Sequence, residues 1–422
     1  MKRRTPLRGW LTAEAISLTG TRISMIAIPW LVLTTTGSAA KTGIVTFAEM
    51  APLVLCKALA GPIVDRLGPR RVALFADFAS VLVVGAVPLL HVLDLLHFPT
   101  LVVIVAVAGA LRGPGDGAKQ ALVPDLVAHG GVSLERATGL GGAVERGATM
   151  SGAALAAALV AVIGAANALV VDAVSFAASG VVLALSTRGL GAPKPPEDVR
   201  DPVTVEASYL RDLKDGWDFL RRDPVLVAIV TMVAVTNLID QAYSALLVPV
   251  WAKDSGNGVA AIGAIGVAWG ATALVGSVLA AKYAERLPRF KTYVIAFVIT
   301  GVPRFAVLAM GAPLWAVLAV SVVGGFGSGF INPVLGAVIF ERIPAPMMGR
   351  VTSLNSALCW ALIPFGGMVG GVLVAGAGLA PALWVAGAAY FVTTMLPTVQ
   401  PQWREMDKRR SVPAEAPEPA RT

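Results

Sequence analysis

The sequence predicts an all-α membrane protein of twelve spanning helices, arranged as two six-helix pseudo-repeats. Three observations carry that prediction. The 422 residues are 56% apolar and only 14% charged, with a mean hydropathy of +0.74, whereas a soluble domain carries about a quarter charged residues. Apolar runs of helix length recur from residue 10 to residue 397, each close to the roughly 20 residues that cross a bilayer core. One long polar stretch, Thr187 to Asp223, divides those runs into two sets.

Taken in order, the runs fall near 10–35, 42–64, 72–94, 99–122, 137–162 and 165–187, then near 225–250, 260–283, 291–311, 314–340, 351–375 and 378–398. The first run follows Met1-Lys2-Arg3-Arg4 and is too long for the apolar part of a signal peptide, so it is expected to stay as a helix. The implied organisation is a bundle over 1–190, a linker over 191–222, a second bundle over 223–400 and a tail over 401–422 expected to be disordered. Within the linker, Leu210, Leu213, Trp217 and Leu220 have the spacing of an amphipathic helix lying on the membrane surface.

The formal charge of +8 reflects membrane topology and not nucleic-acid binding. Basic residues gather on one side: Lys2, Arg3, Arg4 and Arg8; Arg66, Arg70 and Arg71; Lys282, Arg286, Arg289 and Lys291; Arg342 and Arg350; Arg404, Lys408, Arg409 and Arg410. The other side carries Lys41 and Lys253. Positive loops stay cytoplasmic, so both termini are expected inside. Cys56 and Cys359 lie far apart in apolar runs and suggest no disulfide. His91, His97 and His129 lack metal-ligand spacing, so no metal site is predicted.

An internal repeat supports the division. Gly61-Pro62-Ile63-Val64-Asp65-Arg66-Leu67-Gly68-Pro69-Arg70-Arg71 follows the second run, and Glu285-Arg286-Leu287 follows the eighth, the pattern of parallel repeats in secondary transporters. The first of these stretches fits G-x-x-x-D-R-x-G-x-R-R at every specified position, and so resembles the signature loop of the major facilitator superfamily. Further stretches resemble the bacterial efflux branch containing enterobactin exporters and Tap-like multidrug pumps: Ala27-Ile28-Pro29-Trp30-Leu31-Val32-Leu33, Lys119-Gln120-Ala121-Leu122-Val123-Pro124-Asp125 and Asp172-Ala173-Val174-Ser175-Phe176.

The resemblance implies the major facilitator fold, with helices 1, 4, 7 and 10 lining a central cavity. It also implies a conformational latch built from Gly61, Asp65, Arg66, Gly68, Arg70 and Arg71. In that loop Gly61 is expected to allow close helix approach and Gly68 to make the tight turn. The residues supply an independent check, because a helix facing water inside a membrane carries a polar stripe. Run one has Glu14, Ser17, Thr21 and Ser24; run four has Arg112, Asp116 and Lys119. Run seven has Asn237, Asp240, Gln241 and Ser244; run ten has Ser321, Gly325, Ser328 and Asn332.

Each has a bland reading as well. Arg112 and Asp116 stand at the spacing of a self-neutralising pair, and Glu14 and Lys119 lie close enough to the cytoplasmic face to snorkel. Arg22 and Arg304 read as counter-charges, Asp77 and Asp172 as structural. Asp240, Glu145 and Glu49 are the proton-coupling candidates, being carboxylates expected inside the membrane; Asn237 and Gln241 are expected to hydrogen-bond Asp240. Met25, Met50, Trp30, Trp251 and Trp269 are candidates for an adaptable apolar wall.

Two departures from the resembled branch stand out. Thr21 occupies the place of an Asp found in many relatives, and Gly152-Ala153-Ala154-Leu155-Ala156-Ala157 stands where antiporters often carry G-P-x-x-G-G. Gly324 to Gly329 lacks the Gly-Lys-Ser/Thr of a phosphate loop, so ATP is not expected to power the protein. No enzyme motif and no cofactor site is predicted.

The resemblance therefore implies a secondary transporter of the bacterial cytoplasmic membrane, exporting a hydrophobic or amphiphilic small molecule of drug, antibiotic or siderophore type by proton antiport. Its partners would be that substrate, protons and the lipid bilayer, with no nucleic acid, and it is expected to be a monomer. The alternatives are an importer or uniporter on the same fold, or a sensor or scaffold that moves nothing.

Overall fold

The computed structural model describes residues 5–130, 134–188, 214–283, 287–344 and 347–407. Among them, twelve helices are long and apolar enough to cross a membrane: α1 Pro6–Thr36, α2 Ala39–Leu59, α3 Pro69–Val92, α4 Phe98–Gly130, α5 Leu140–Ile163, α6 Ala165–Ser186, α7 Pro224–Asp254, α8 Gly258–Ala280, α9 Arg289–Ala309, α10 Leu314–Ile339, α11 Leu354–Ala377 and α12 Leu379–Val399. Large apolar side chains such as Phe75, Leu82, Val162 and Trp315 point outward and stay exposed. Outward apolar faces on helices whose backbones satisfy themselves are what lipid solvation requires.

One packing scheme appears twice. In the first half α1 packs on α5 and α6, α4 on α2 and α3, and α3 on α6. In the second half α7 packs on α11 and α12, α10 on α8 and α9, and α9 on α12. The contacts between halves obey the same shift, α2 meeting α11 and α5 meeting α8. Equivalent turns use equivalent residues: Gly164 alone joins α5 to α6 with φ +84°, and Gly378 alone joins α11 to α12 with φ +85°. A one-residue reversal in the left-handed region favours glycine, since a Cβ there is strained.

Breaks in the spans have local causes. Helix α9 bends at Gly301, one residue before the Val302-Pro303 start of its second segment, because Pro303 has no amide proton for the preceding turn. Helix α7 widens into a π turn over Tyr243–Leu247. Run two ends at Leu59 and not near 64, and Gly61–Leu67 forms a separate short helix with Pro62 in its first turn, a position that tolerates proline.

The polar segments are better ordered than composition suggests. Residues 214–220 are helical, and Leu220 is buried with Leu226, Val230, Ile343 and Val351 while Trp217 stays exposed. Leu210, Leu213 and the rest of 189–213 lie outside the described residues. At the other end, Pro401–Asp407 forms a 3-10 helix. Trp403 is only 1% exposed and meets Tyr293 edge-on at 5.4 Å, while Asp407 accepts from the Phe290 amide at 3.0 Å. An aromatic anchor thus orders the start of the segment expected to be disordered; 408–422 lies outside the described residues.

Candidate functional site

Between the halves lies a cavity of about 690 Å³ walled by α1, α2, α4, α5, α7 and α11. Its wall runs along α1 from Met25 back to Trp10, along α2 from Met50 to Lys57 and along α4 from Arg112 to Pro124, toward the face that carries the signature loop. A smaller lobe of about 170 Å³ continues inward past Arg22, Met25 and Met50 to Thr46, Thr149, Gln241 and Ser244.

Beyond that lobe the halves close. Gly43 and Thr46 of α2 press on Gly367 of α11, Gly371 of α11 meets Ala39, and Gly263 and Gly266 of α8 meet Ala157 and Ala153 of α5. Phe47 and Phe365 meet at a tilt, with ring centres 5.4 Å apart. Lys253 Nζ donates to the Leu33 carbonyl at 3.0 Å. Small residues let these backbones approach without a hydrophobic drive between helices, so Ala153 to Ala157, the stretch in place of G-P-x-x-G-G, is part of the closed seam.

Several charged groups pair differently from what their spacing suggests. Arg112 does not pair with Asp116; its Nη1 donates to Glu49 Oε1 at 2.8 Å, and both side chains are buried. The reason lies in the α2–α4 seam, where Gly109 and Gly113 sit against the backbone at Glu49, Leu53 and Lys57. With the helices that close, a long guanidinium reaches an otherwise unpartnered carboxylate on the neighbouring helix. Lys119 neither snorkels nor lines the cavity. It is 2% exposed, stands 2.8 Å from Asp77 Oδ1 and donates to Ser17 at 3.0 Å and Ser179 at 3.3 Å, while Ser179 donates to Asp77 at 2.8 Å. This network ties α1, α3, α4 and α6 together. Ser24 likewise turns inward and donates to Asp172. Desolvated carboxylates inside the bundle thus capture Ser24 and Lys119 from the expected stripe, and Lys119 in turn takes Ser17.

What remains on the cavity wall is a sparse set. Glu14, Thr21, Arg112 and Asp116 line the main cavity, Gln241 lines both lobes, and Glu49 and Ser244 line the inner one. Glu145, expected to be buried, is exposed on the wall because α5 turns it toward the opening. Among the described residues, the carboxylates of Glu14, Asp116 and Glu145 make no hydrogen bond or ion pair. Met25 and Met50 belong to the wall, but Trp251 is buried elsewhere, Trp30 packs against the apolar core and Trp269 packs near Arg304. The cavity's aromatics are Trp10 and Trp360, with Lys57 Nζ 4.9 Å from the Trp360 ring centre. Trp10 was legible, since it stands one turn before Glu14 on the same face; Trp360 carries no signal beyond its position before a helix break.

In the second half Asp240 accepts from Arg304 of α9. That guanidinium is held among Tyr243, Phe305, Tyr390 and Trp269, with ring centres 4.8, 4.7, 4.8 and 5.3 Å away. The expected amide partners are engaged elsewhere or absent from Asp240: Asn237 Nδ2 donates to the Cys359 carbonyl at 2.9 Å, and Gln241 faces the cavity. The α10 stripe lines neither lobe. Ser321 is 1% exposed and donates to the Val317 carbonyl, Ser328 donates to the Gly325 carbonyl, and Gly325 and Gly329 pack on α8; Asn332 lies beyond the cavity wall too. Serines that bond their own preceding turn need no water, so their periodicity signals packing.

The signature loop shows one expected turn and one correction. Gly68 has φ +84° and Arg70 donates to Thr187 Oγ1 at 2.9 Å and the Ala184 carbonyl at 3.1 Å. Gly61, expected to allow close approach, has open space where a Cβ would stand. Arg66 and Arg71 are exposed, and the side chain of Asp65 lies outside the described residues.

Comparison with known proteins bears on this architecture. A family model described as the Major Facilitator Superfamily matches residues 10–243 and 229–419. The multidrug efflux pump Tap of Mycolicibacterium fortuitum is 28% identical over 411 residues, covering 96% of this chain and 98% of that protein. The pump of the same name in Mycobacterium tuberculosis (strain ATCC 25618 / H37Rv) is 30% identical over 408 residues, covering 94% of each. Among solved structures, a bacterial homologue of the iron transporter ferroportin in an inward-facing state superposes with TM-score 0.69 at 15% identity, covering 96% of this chain and 99% of that one. The nucleoside transporter NupG gives 0.67 at 14% identity, covering 97% and 100%. At those identities the likeness establishes the fold.

Proposed function

The chain belongs to the Major Facilitator Superfamily and is a multi-pass membrane transporter of small molecules, not an enzyme; from that premise we propose that it exports a hydrophobic or amphiphilic substrate by proton antiport with alternating access. The observation that carries this reading is the cavity between the halves, open on one face and sealed on the other, mixing Met25, Met50, Trp10 and Trp360 with ionisable groups. Flexible thioethers and aromatic faces accommodate varied apolar shapes, and Glu49 on the inner lobe supplies a carboxylate for coupling. Efflux by the Tap relatives supports the outward direction.

The distribution of basic residues supports an open face in the cytoplasm of a bacterial cell, with both termini inside. The signature loop then sits where it would latch the halves 1–190 and 223–400 when the cavity faces outward. Glu49 is the leading proton carrier, ahead of Glu145 and Asp240, because it alone of the three sits in the inner lobe and in a buried ion pair.

Orientation is checked with single cysteines in a background lacking Cys56 and Cys359. Ser255, exposed between α7 and α8, should react as Ser255→Cys with an impermeant thiol reagent added to intact cells. Ala128→Cys, exposed at the end of α4, should react only after permeabilisation; the reverse pattern overturns the orientation. Function is tested in inside-out vesicles with an acidic lumen. An amphiphilic fluorescent dye should accumulate inside and leak out when the pH gradient is collapsed. Dye movement indifferent to the gradient would refute proton antiport, and an absence of carrier-dependent movement would refute export.

A further inference from the structure

Arg22 stands at the junction of the two lobes and lines both. Its stem is seated against α5 at Gly152, where an added Cβ would come within 2.6 Å of Arg22 Cβ and 2.9 Å of its Cγ. Glycine there is the condition for the Arg22 side chain to pass α5 and place its head in the cavity. Yet the head has no counter-ion. Among the described residues no carboxylate oxygen lies within 4.0 Å of it, its Nε has no partner, and its one side-chain hydrogen bond is a weak one from Nη1 to the Met25 sulfur at 3.6 Å.

Among the described residues, the arginines buried inside the bundle are handled differently. Arg112 has Glu49 and Arg304 has Asp240. The charged groups facing Arg22 are Arg112, Glu145 and Asp116 at longer range, with Glu49 on the inner lobe already engaged by Arg112. The inner end of the cavity therefore carries two guanidinium groups and one carboxylate, whereas the unpaired acids Glu14, Asp116 and Glu145 stand along the wider part. A charge inside a membrane protein normally has a partner, because leaving it alone is costly. A planar guanidinium with free donors is suited to bind a carboxylate through paired hydrogen bonds.

We infer that Arg22 is the substrate's anion-recognition residue, so that the preferred cargo is an amphiphile carrying a carboxylate-like acidic group, which enters the inner lobe first and supplies the missing counter-ion. Any basic group of the same molecule then lies among the acids of the wider part. This rests on the export-cavity reading and makes it more specific, since an amphiphile lacking the acidic group would fill the same walls but leave Arg22 unpaired.

The test uses a matched pair of dyes, a rhodamine with a free carboxylate and its methyl ester, titrated against the full-length purified protein by fluorescence anisotropy. A charge-assisted pair that replaces an unpaired charge is expected to give the free acid an affinity about tenfold to a hundredfold higher than the ester. Arg22→Gln should erase that preference by weakening the acid while leaving the ester within about twofold, and Arg22→Lys should keep part of it. If Arg22→Gln does not fold, Gly152→Ala serves instead, because the added methyl displaces the Arg22 stem, and the preference should fall in that variant. Equal binding of the two dyes by the wild type, binding of neither, or a preference that survives Arg22→Gln or, in its place, Gly152→Ala overturns the assignment. Failure of vesicles to move either dye would instead refute export, and the equilibrium preference would still decide the role of Arg22.

Discussion

Lys119→Met is expected to lower the stability of the purified protein by about 3–5 kcal/mol, the usual penalty for removing one partner of a buried ion pair. The ammonium is 2% exposed and serves Asp77 at 2.8 Å together with Ser17 and Ser179. Its removal strands a carboxylate that retains only the Ser179 hydroxyl and unties α1, α3, α4 and α6. The penalty belongs mostly to the stranded charge and not to the lost attraction, which makes a second result follow. Asp77→Asn combined with Lys119→Met should recover most of the loss, because an amide in that place leaves no charge unpaired. Thermal unfolding of the detergent-solubilised single and double variants measures both effects. A double variant no more stable than Lys119→Met alone would show that the pair is not the source of the penalty.

That network also shows where sequence reasoning reached and where it stopped. The twelve spans were legible because crossing a bilayer imposes length and apolarity on each segment separately, and α6 or α10 could be placed without knowledge of its neighbours. The doubling was legible from the loop after run two and its echo after run eight. Side-chain pairing was not, because it depends on which helices touch. Arg112 and Asp116 have suitable spacing on one helix, yet Gly109 and Gly113 bring α2 so near that Glu49 becomes the partner. Asp240 has no basic neighbour on its own helix, but α9 supplies Arg304. Polar periodicity failed for a different reason: on α1 and α4 it marked both the cavity and the bundle interior, and on α10 it marked hydroxyls that bond their own helix. A stripe establishes that a helix avoids lipid on that side, and only the packing says whether water or protein takes the place of lipid.

The same geometry ranks Glu49 first among the proposed coupling carboxylates. Glu49→Gln is expected to abolish uphill, pH-driven accumulation while leaving downhill exchange and dye binding measurable. Glu49 sits where three requirements meet: it lines the inner lobe, it holds Arg112 across the α2–α4 seam, and its helix also forms the closed seam with α11 through Gly43 and Thr46. Adding a proton to Glu49 removes the charge that pairs with Arg112, and so changes how α4 is held against a helix that must move when the sealed face opens. Coupling between two sites is typically worth about 1–3 kcal/mol, or 5- to 150-fold in an equilibrium, enough to decide which state dominates at each pH. A glutamine cannot lose the proton, so the two states interconvert at a ratio that pH no longer controls. Glu145→Gln should have a smaller effect, since that side chain is exposed to the cavity without a partner, and Asp240→Asn should mainly disturb the aromatic cage around Arg304. Proteoliposomes carrying each variant, loaded with dye and given an imposed pH difference, separate the three. If Glu49→Gln still concentrates dye against its gradient while Asp240→Asn or Glu145→Gln does not, the proton passes through that other carboxylate and the α2–α4 pair is structural.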